Sequence, residues 1–180
     1  MKKLNSSREH NNFPITLKLA DIKTPAGRFF YIADNETLIA GGFRSHDALL
    51  HYLDSSYDSA TFRNVKKIEG ITEFLAAYND GEIAALKKIK VKQPGGNFYQ
   101  NAWAAMRKIG AGKVATYSDL AANSGNGKAV RAAGSACARN AIALVVPCHR
   151  VVKTGGALGN YAYGVEYKEM LLSHEGYLER

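Results

Sequence analysis

The sequence predicts an α/β protein in two parts: a small N-terminal α/β domain with an antiparallel sheet over residues 14–94, and a mostly helical C-terminal domain over 95–180. Three observations carry that division. Residues 15–19, 28–33 and 37–43 are short segments rich in β-formers, punctuated by Thr24-Pro25-Ala26-Gly27 and Asp34-Asn35-Glu36, the spacing of an antiparallel sheet. Gln93-Pro94-Gly95-Gly96 is the clearest break in the chain, because proline and paired glycines end regular structure. Beyond it, apolar residues recur at helical rather than alternating intervals.

Residues 1–13 read as a mobile polar tail. After the three strands, apolar positions in 45–53 and 71–78 recur at helical spacing, while Ile89 and Val91 alternate with Lys90 and Lys92 as in an edge strand. In the second part, Phe98, Ala102, Ala105, Met106 and Ile109 mark one face of a helix that Gly110-Ala111-Gly112 stops. A short helix begins near Thr116 and closes at Ser124-Gly125-Asn126-Gly127, and residues 128–136 form a helix rich in small side chains. Helix, glycine-containing turn and helix make a helix-turn-helix pattern, in which small residues let a backbone approach another molecule closely while Arg131 projects.

Composition bounds the function. A chain of 180 residues with 46% hydrophobic content can bury a sizeable core, which excludes disorder throughout. The stretch from Met1 to His10 is basic and polar and no apolar region follows it, so neither a signal peptide nor a membrane anchor is expected. The longest apolar run, 142–146, is far too short to span a bilayer. Cys137 and Cys148 form no CxxC pair, which excludes a disulfide framework and a cysteine-rich zinc site and suits a reducing cytosol. The net charge of +8 favours a polyanionic partner and leans towards the second part, where ten Lys/Arg stand against five Asp/Glu from Gly95 onward. The same excess also fits a solvated surface.

The apolar run 142–146 leads directly into Pro147-Cys148-His149-Arg150-Val151-Val152. A lone buried cysteine is more often a small hydrophobe than a nucleophile, and adjacent residues of an extended segment point to opposite faces, so Cys-His alone is poor geometry for a direct proton relay. The flanking motifs decide. Pro147-Cys148-His149-Arg150-Val151 resembles the active-site signature of the 6-O-alkylguanine-DNA alkyltransferases, also called methylated-DNA-protein-cysteine methyltransferases. The resemblance runs from Asn97 to Gly176. It includes Ala102-Trp103, Ala115-Thr116-Tyr117-Ser118-Asp119-Leu120-Ala121, Ala129-Val130-Arg131-Ala132, Asn140, Gly159-Asn160-Tyr161 and residues 168–176.

The resemblance implies a ribonuclease H-like N-terminal domain and a winged helix-turn-helix C-terminal domain. It implies direct reversal of damage in double-stranded DNA, with 4-O-alkylthymine an open second substrate beside 6-O-alkylguanine. Cys148 becomes the alkyl acceptor, His149 its base through a water, and Glu175 the carboxylate that orients His149; His174 is left at the surface. Arg131 fills the stack after the base is rotated out, with Ala129 and Ser135 beside it at the DNA. Tyr117 presses on the phosphate and donates to guanine N3. Asn140 supports the turns around the active site, the carbonyls of Cys148 and Val151 accept from the guanine 2-amino group, and Tyr161, Ala162 and Tyr163 wall the pocket. Cys137 is assigned to packing. No cofactor and no metal are expected, the protein acts as a monomer, and each molecule reacts once because a thioether on Cys148 has no good leaving group.

The chain departs from the family pattern at Gly110, Gly127 and Ala141, where proline is common, and at Ala162 and Tyr163, where a small residue and glycine are common. Tyr163 is expected to narrow the pocket and to disfavour bulky adducts such as benzyl. Rival readings are a non-catalytic lesion binder, which carries tryptophan at the cysteine position, a helix-turn-helix regulator with Cys148 as sensor, and a cysteine hydrolase.

Overall fold

The computed structural model describes residues 14–178; the tail expected at 1–13 lies outside the described residues. Strands β1 (Thr16–Thr24), β2 (Gly27–Asp34) and β3 (Thr37–Gly42) form an antiparallel meander across the two turns marked by the sequence. After helix α1 (His46–Leu50), capped by the Ser45 hydroxyl, strand β4 (Thr61–Asn64) joins β1 in parallel. Helix α2 (Thr72–Asn79) then leads to β5 (Lys90–Val91), parallel to β3 at the opposite edge. The sheet, ordered β4-β1-β2-β3-β5, is therefore mixed rather than antiparallel. The cause is connection length: β4 and β5 each return through a helical crossover, which delivers a strand in the same direction as its neighbour.

The strands alternate between two cores, as period-two geometry requires. Phe29, Tyr31 and Ala33 of β2 join a core with Ile71, Leu75 and Tyr78, where Tyr31 Oη lies 2.7 Å from Thr72 Oγ1, while Ile32 packs with Leu17, Ile39 and Leu49 under α1. The first of these cores is continuous with Trp103, Met106, Ile142 and Leu171, so both halves of the chain share one buried cluster.

Helices α3 (Asn97–Lys108), α4 (Tyr117–Asn123) and α5 (Val130–Ala138) pack together, and Trp103 Nε1 donates to the Ala136 carbonyl at 2.9 Å, tying α3 to α5. Thr116 caps α4 with Asp119 in a reciprocal capping box. Helix α5 starts later than the sequence indicates, leaving Lys128 outside it and Ala129 as its cap. A two-stranded parallel pair, β6 (Ala115–Thr116) and β7 (Val151–Val152), and the last helix α6 (Val165–His174) complete the fold.

Candidate active site

The segment 141–147 is laid down against the first half of the chain. Gly41 at the end of β3 donates to the Ala141 carbonyl at 2.8 Å and accepts from Ala143 N at 2.9 Å. Within the segment Leu144 adopts a left-handed backbone, φ 68°, which costs a branched residue about 1–2 kcal/mol. Burial outweighs this cost, because Ile142, Leu144, Val145 and Val146 are all buried and each contributes roughly 1.5–3 kcal/mol. The turn then places Cys148-His149-Arg150 in one 3-10 turn rather than the extended conformation expected from the sequence. Pairing of β7 with β6 sets Tyr117, the first residue of α4, beside that turn.

Cys148 is only 8% exposed and lies in the wall of an open cavity of about 370 Å³. The other lining residues are Tyr117, Gly134, Cys137, Ala138, Asn160, Tyr161 and Ala162. Behind the cysteine, Asn140 Nδ2 reaches Sγ at 3.3 Å and the Val146 carbonyl at 2.7 Å. Asn140 Oδ1 accepts from Ile142 N at 3.1 Å and from Gln93 Nε2 at 3.2 Å, and Gln93 Oε1 accepts from Ala141 N at 2.7 Å. Burial pushes the Cys148 thiol above its ordinary range; the Asn140 amide and the Lys168 ammonium pull it back.

His149 is fully buried, with Nε2 2.8 Å from Glu175 Oε1. Arg150 Nε donates to the other carboxylate oxygen at 2.6 Å, its Nη1 donates to the Ile109 carbonyl at 2.6 Å, and Tyr78 Oη donates to Oε1 at 3.2 Å. Burial opposes ionisation of Glu175, but His149 and Arg150 overcome it and hold the carboxyl at about 2. Burial, with Arg150 and Lys168, holds His149 below its ordinary range and therefore neutral, against the pull of Glu175. A carboxylate can only accept, so the imidazole proton sits on Nε2 and the lone pair on Nδ1. Nδ1 has no hydrogen-bond partner among the described residues, and neither does the buried Tyr161 hydroxyl.

The sequence-derived residues divide into three groups. Cys148, His149 and Glu175 are brought together, with Tyr117, Tyr161 and Ala162 on the cavity. Tyr117 is half-buried, and burial and the two cysteines keep its hydroxyl protonated, as a donor. On α5, Arg131 is exposed and Ala129 and Ser135 are half-exposed, one turn from the cavity-lining Gly134 and Ala138.

Other assignments change. Val151, assigned with Asn140 to the substrate pocket, is buried outside the cavity wall; Asn140 is outside the wall too but bonds the Val146 carbonyl and Cys148 Sγ, in keeping with the supporting role expected of it. Tyr163 is also absent from the wall: its ring packs on Phe43 and Tyr167, because the bare Gly42 leaves room for it towards the first half of the chain. Cys137, assigned to packing, lines the same cavity as Cys148, and burial keeps it a neutral thiol. His174 is half-buried, with Nε2 2.8 Å from the Tyr78 carbonyl.

Sequence reasoning missed Lys168, Gln93, Arg150 and Tyr78. Lys168 is fully buried and donates to the carbonyls of Val151 and Leu158 at 2.6 and 2.5 Å, so the Val151 carbonyl is already engaged on one lone pair. Their places within the family motifs signalled Lys168 and Arg150; nothing signalled Gln93 or Tyr78, which lie outside them.

Residues 97–177 match the family model described as the 6-O-methylguanine DNA methyltransferase, DNA binding domain. The methylated-DNA-protein-cysteine methyltransferase of Salmonella typhimurium is 40% identical over 72% of this chain and 74% of its own length. That of Methanosarcina acetivorans is 35% identical over 87% of this chain and 97% of its own length. The crystal structure of the Mycobacterium tuberculosis O6-methylguanine methyltransferase superposes with a TM-score of 0.70 at 27% identity, covering 89% of this chain and 93% of that one. A structure of M. tuberculosis OGT in complex with DNA gives the same TM-score at 25% identity, covering 88% and 92%. The chain belongs to the methylated-DNA-protein-cysteine methyltransferase family.

Proposed function

We propose that the protein repairs alkylated DNA by moving the alkyl group of a 6-O-alkylguanine onto Cys148 Sγ, once per molecule. The observation that carries this is the cysteine in the wall of an open cavity, followed in the chain by a buried histidine whose Nε2 is bound to a buried glutamate and whose Nδ1 is left without a partner among the described residues. A cavity of about 370 Å³ falls in the range, roughly 300–1,000 Å³, that takes a small molecule such as one extruded nucleobase.

The thiol proton passes through a water to His149 Nδ1, the nitrogen with a free lone pair, and Glu175 stabilises the imidazolium that results. The thiolate attacks the alkyl carbon; the S–C bond forms as the C–O6 bond breaks, and the electron pair departs on guanine. Tyr117 donates towards N3 and offsets that charge, and the proton taken from sulfur neutralises the restored guanine. Asn140 holds Sγ from behind. A thioether on Cys148 has no good leaving group, and burial keeps the Cys137 thiol of the same cavity neutral, so the reaction ends there.

Base extrusion falls to α5, with Arg131 entering the stack from the minor groove and Ala129 and Ser135 close to the backbone. In this reading the first half is ribonuclease H-like, the second is a winged helix-turn-helix with β6–β7 at its base, and one monomer acts alone on duplex DNA. Two free cysteines suit a reducing cytosol, and among the described residues no helix is long and apolar enough to cross a membrane. The test is stoichiometry. Guanine restored in a duplex carrying one 6-O-methylguanine should plateau at one per protein; turnover beyond one, or none, would contradict the proposal.

A further inference from the structure

Tyr161 and Ala162, which wall the cavity opposite α5, belong to no helix or strand: they lie between β7 and α6. Glycines with left-handed backbones flank them, Gly159 at φ 72° and Gly164 at φ 107°, so the loop has little intrinsic stiffness. Within its own half Gly164 N donates to the Tyr161 carbonyl at 3.1 Å and the Tyr161 ring lies 6.4 Å from that of His149; the Ala162 end is attached to the other half of the chain. Arg44, two residues beyond β3, donates from Nη2 to the Ala162 carbonyl at 2.9 Å, and its guanidinium carbon sits 5.7 Å from the centre of the Tyr163 ring. That ring is wedged between Phe43 at 5.3 Å and Tyr161 at 5.5 Å. A Cβ on Gly42 would collide with Tyr163 Oη, so the seat exists only because residue 42 has no side chain.

We infer that Arg44 and Tyr163 form a clasp by which the N-terminal half positions the Tyr161–Ala162 wall against the alkyl group, and so sets which adducts are transferred. The inference rests on Cys148 being the acceptor. Tyr163 restricts the cavity indirectly: it backs Tyr161 instead of facing the substrate. Arg44 is a positioning residue, since it touches the wall and not the reacting atoms. Released from Arg44, the loop moves outward on its glycines. A methyl group, which needs the wall close, then loses orientation, while a benzyl group gains room.

The test measures transfer rates at saturating DNA from matched duplexes carrying 6-O-methylguanine or 6-O-benzylguanine, together with Kd and Tm. The proteins are wild type, Arg44→Met, which keeps the aliphatic stem, and Arg44→Lys, which keeps donor and charge. Arg44→Met should slow methyl transfer about threefold, the scale of losing one solvent-exposed hydrogen bond, and raise the benzyl-to-methyl ratio at least about threefold. Arg44→Lys should restore the ratio towards wild type, and Kd should stay within about twofold throughout. The ratio is taken within each preparation, so partial unfolding cancels. An unchanged ratio in Arg44→Met, whether or not both rates fall, would overturn the clasp. Wild-type protein that transfers neither group would instead overturn the Cys148 assignment beneath it.

Discussion

Replacing Glu175 by glutamine keeps the shape of the side chain and removes its charge, and the surrounding donors dictate how the new amide is oriented. Arg150 can only donate, so the glutamine oxygen turns to Arg150 Nε, where Oε2 now sits at 2.6 Å. The amide NH2 then faces His149 Nε2, in place of the oxygen at 2.8 Å. Nε2 must accept, the imidazole proton moves to Nδ1, and Nδ1, the nitrogen left without a partner among the described residues, can no longer take a proton. Loss of a general base costs about 10²–10⁴ in rate, so transfer at saturating DNA should fall by that factor. Stability falls as well. The carboxyl is held below its ordinary 4.5 by His149 and Arg150, so its ionised form is stabilising at neutral pH and glutamine, which carries no charge to pair with Arg150, should lower Tm. Rapid-quench transfer kinetics and thermal unfolding measure both. Glu175→Gln protein that transfers within threefold of wild type at pH 7 would refute the tautomer reasoning, whatever its Tm.

Three further outcomes are expected. Stability should decline with acid in two stages: below about 6.5 the unfolded state protonates His149 while the folded state resists, and from about 4.5 to about 2 the Glu175 contribution is lost as its carboxylate protonates. Urea unfolding across that range checks this, and Glu175→Gln should flatten the lower stage. Arg131→Ala should slow transfer from duplex DNA about tenfold or more at saturation, yet leave reaction with free 6-O-benzylguanine base, which needs no extrusion, within about twofold; equal losses on both substrates would remove Arg131 from base flipping. Lys168→Met leaves the Val151 and Leu158 carbonyls without their buried donor and should lower stability by roughly 2–4 kcal/mol in urea; a change below about 0.5 kcal/mol would mean that water replaces the ammonium freely.

Legibility in the sequence depended on the kind of signal each element carries. The meander, α3 and the capped start of α4 were readable because Gly, Pro, Asx and Thr116-x-x-Asp119 act locally, through turns and caps. Strand β4 was not: Thr61–Asn64 is exposed along its length and pairs on one side only, so it shows no apolar alternation. Its parallel pairing depends on a crossover, which local pattern does not encode. Gln93 read as part of a break, yet its amide is buried against Asn140 and Ala141. Lys168 and Arg150 illustrate the same limit, because charged residues are expected outside and their carbonyl and carboxylate partners are distant in sequence. Motif resemblance named Cys148, His149 and Glu175, while the direction Tyr163 takes was decided by Gly42, more than a hundred residues away, which no local pattern reports.

The central claim is that Cys148 itself receives the alkyl group. Intact mass and peptide mapping after incubation with a duplex holding a single 6-O-methylguanine test it most directly, with Cys148→Ser as the control. The expected result is a gain of one methyl group on the Cys148 peptide, loss of the lesion in equal amount, and no gain in Cys148→Ser. A methyl group found on Cys137, or tight binding of the lesion with no change in mass, would contradict it.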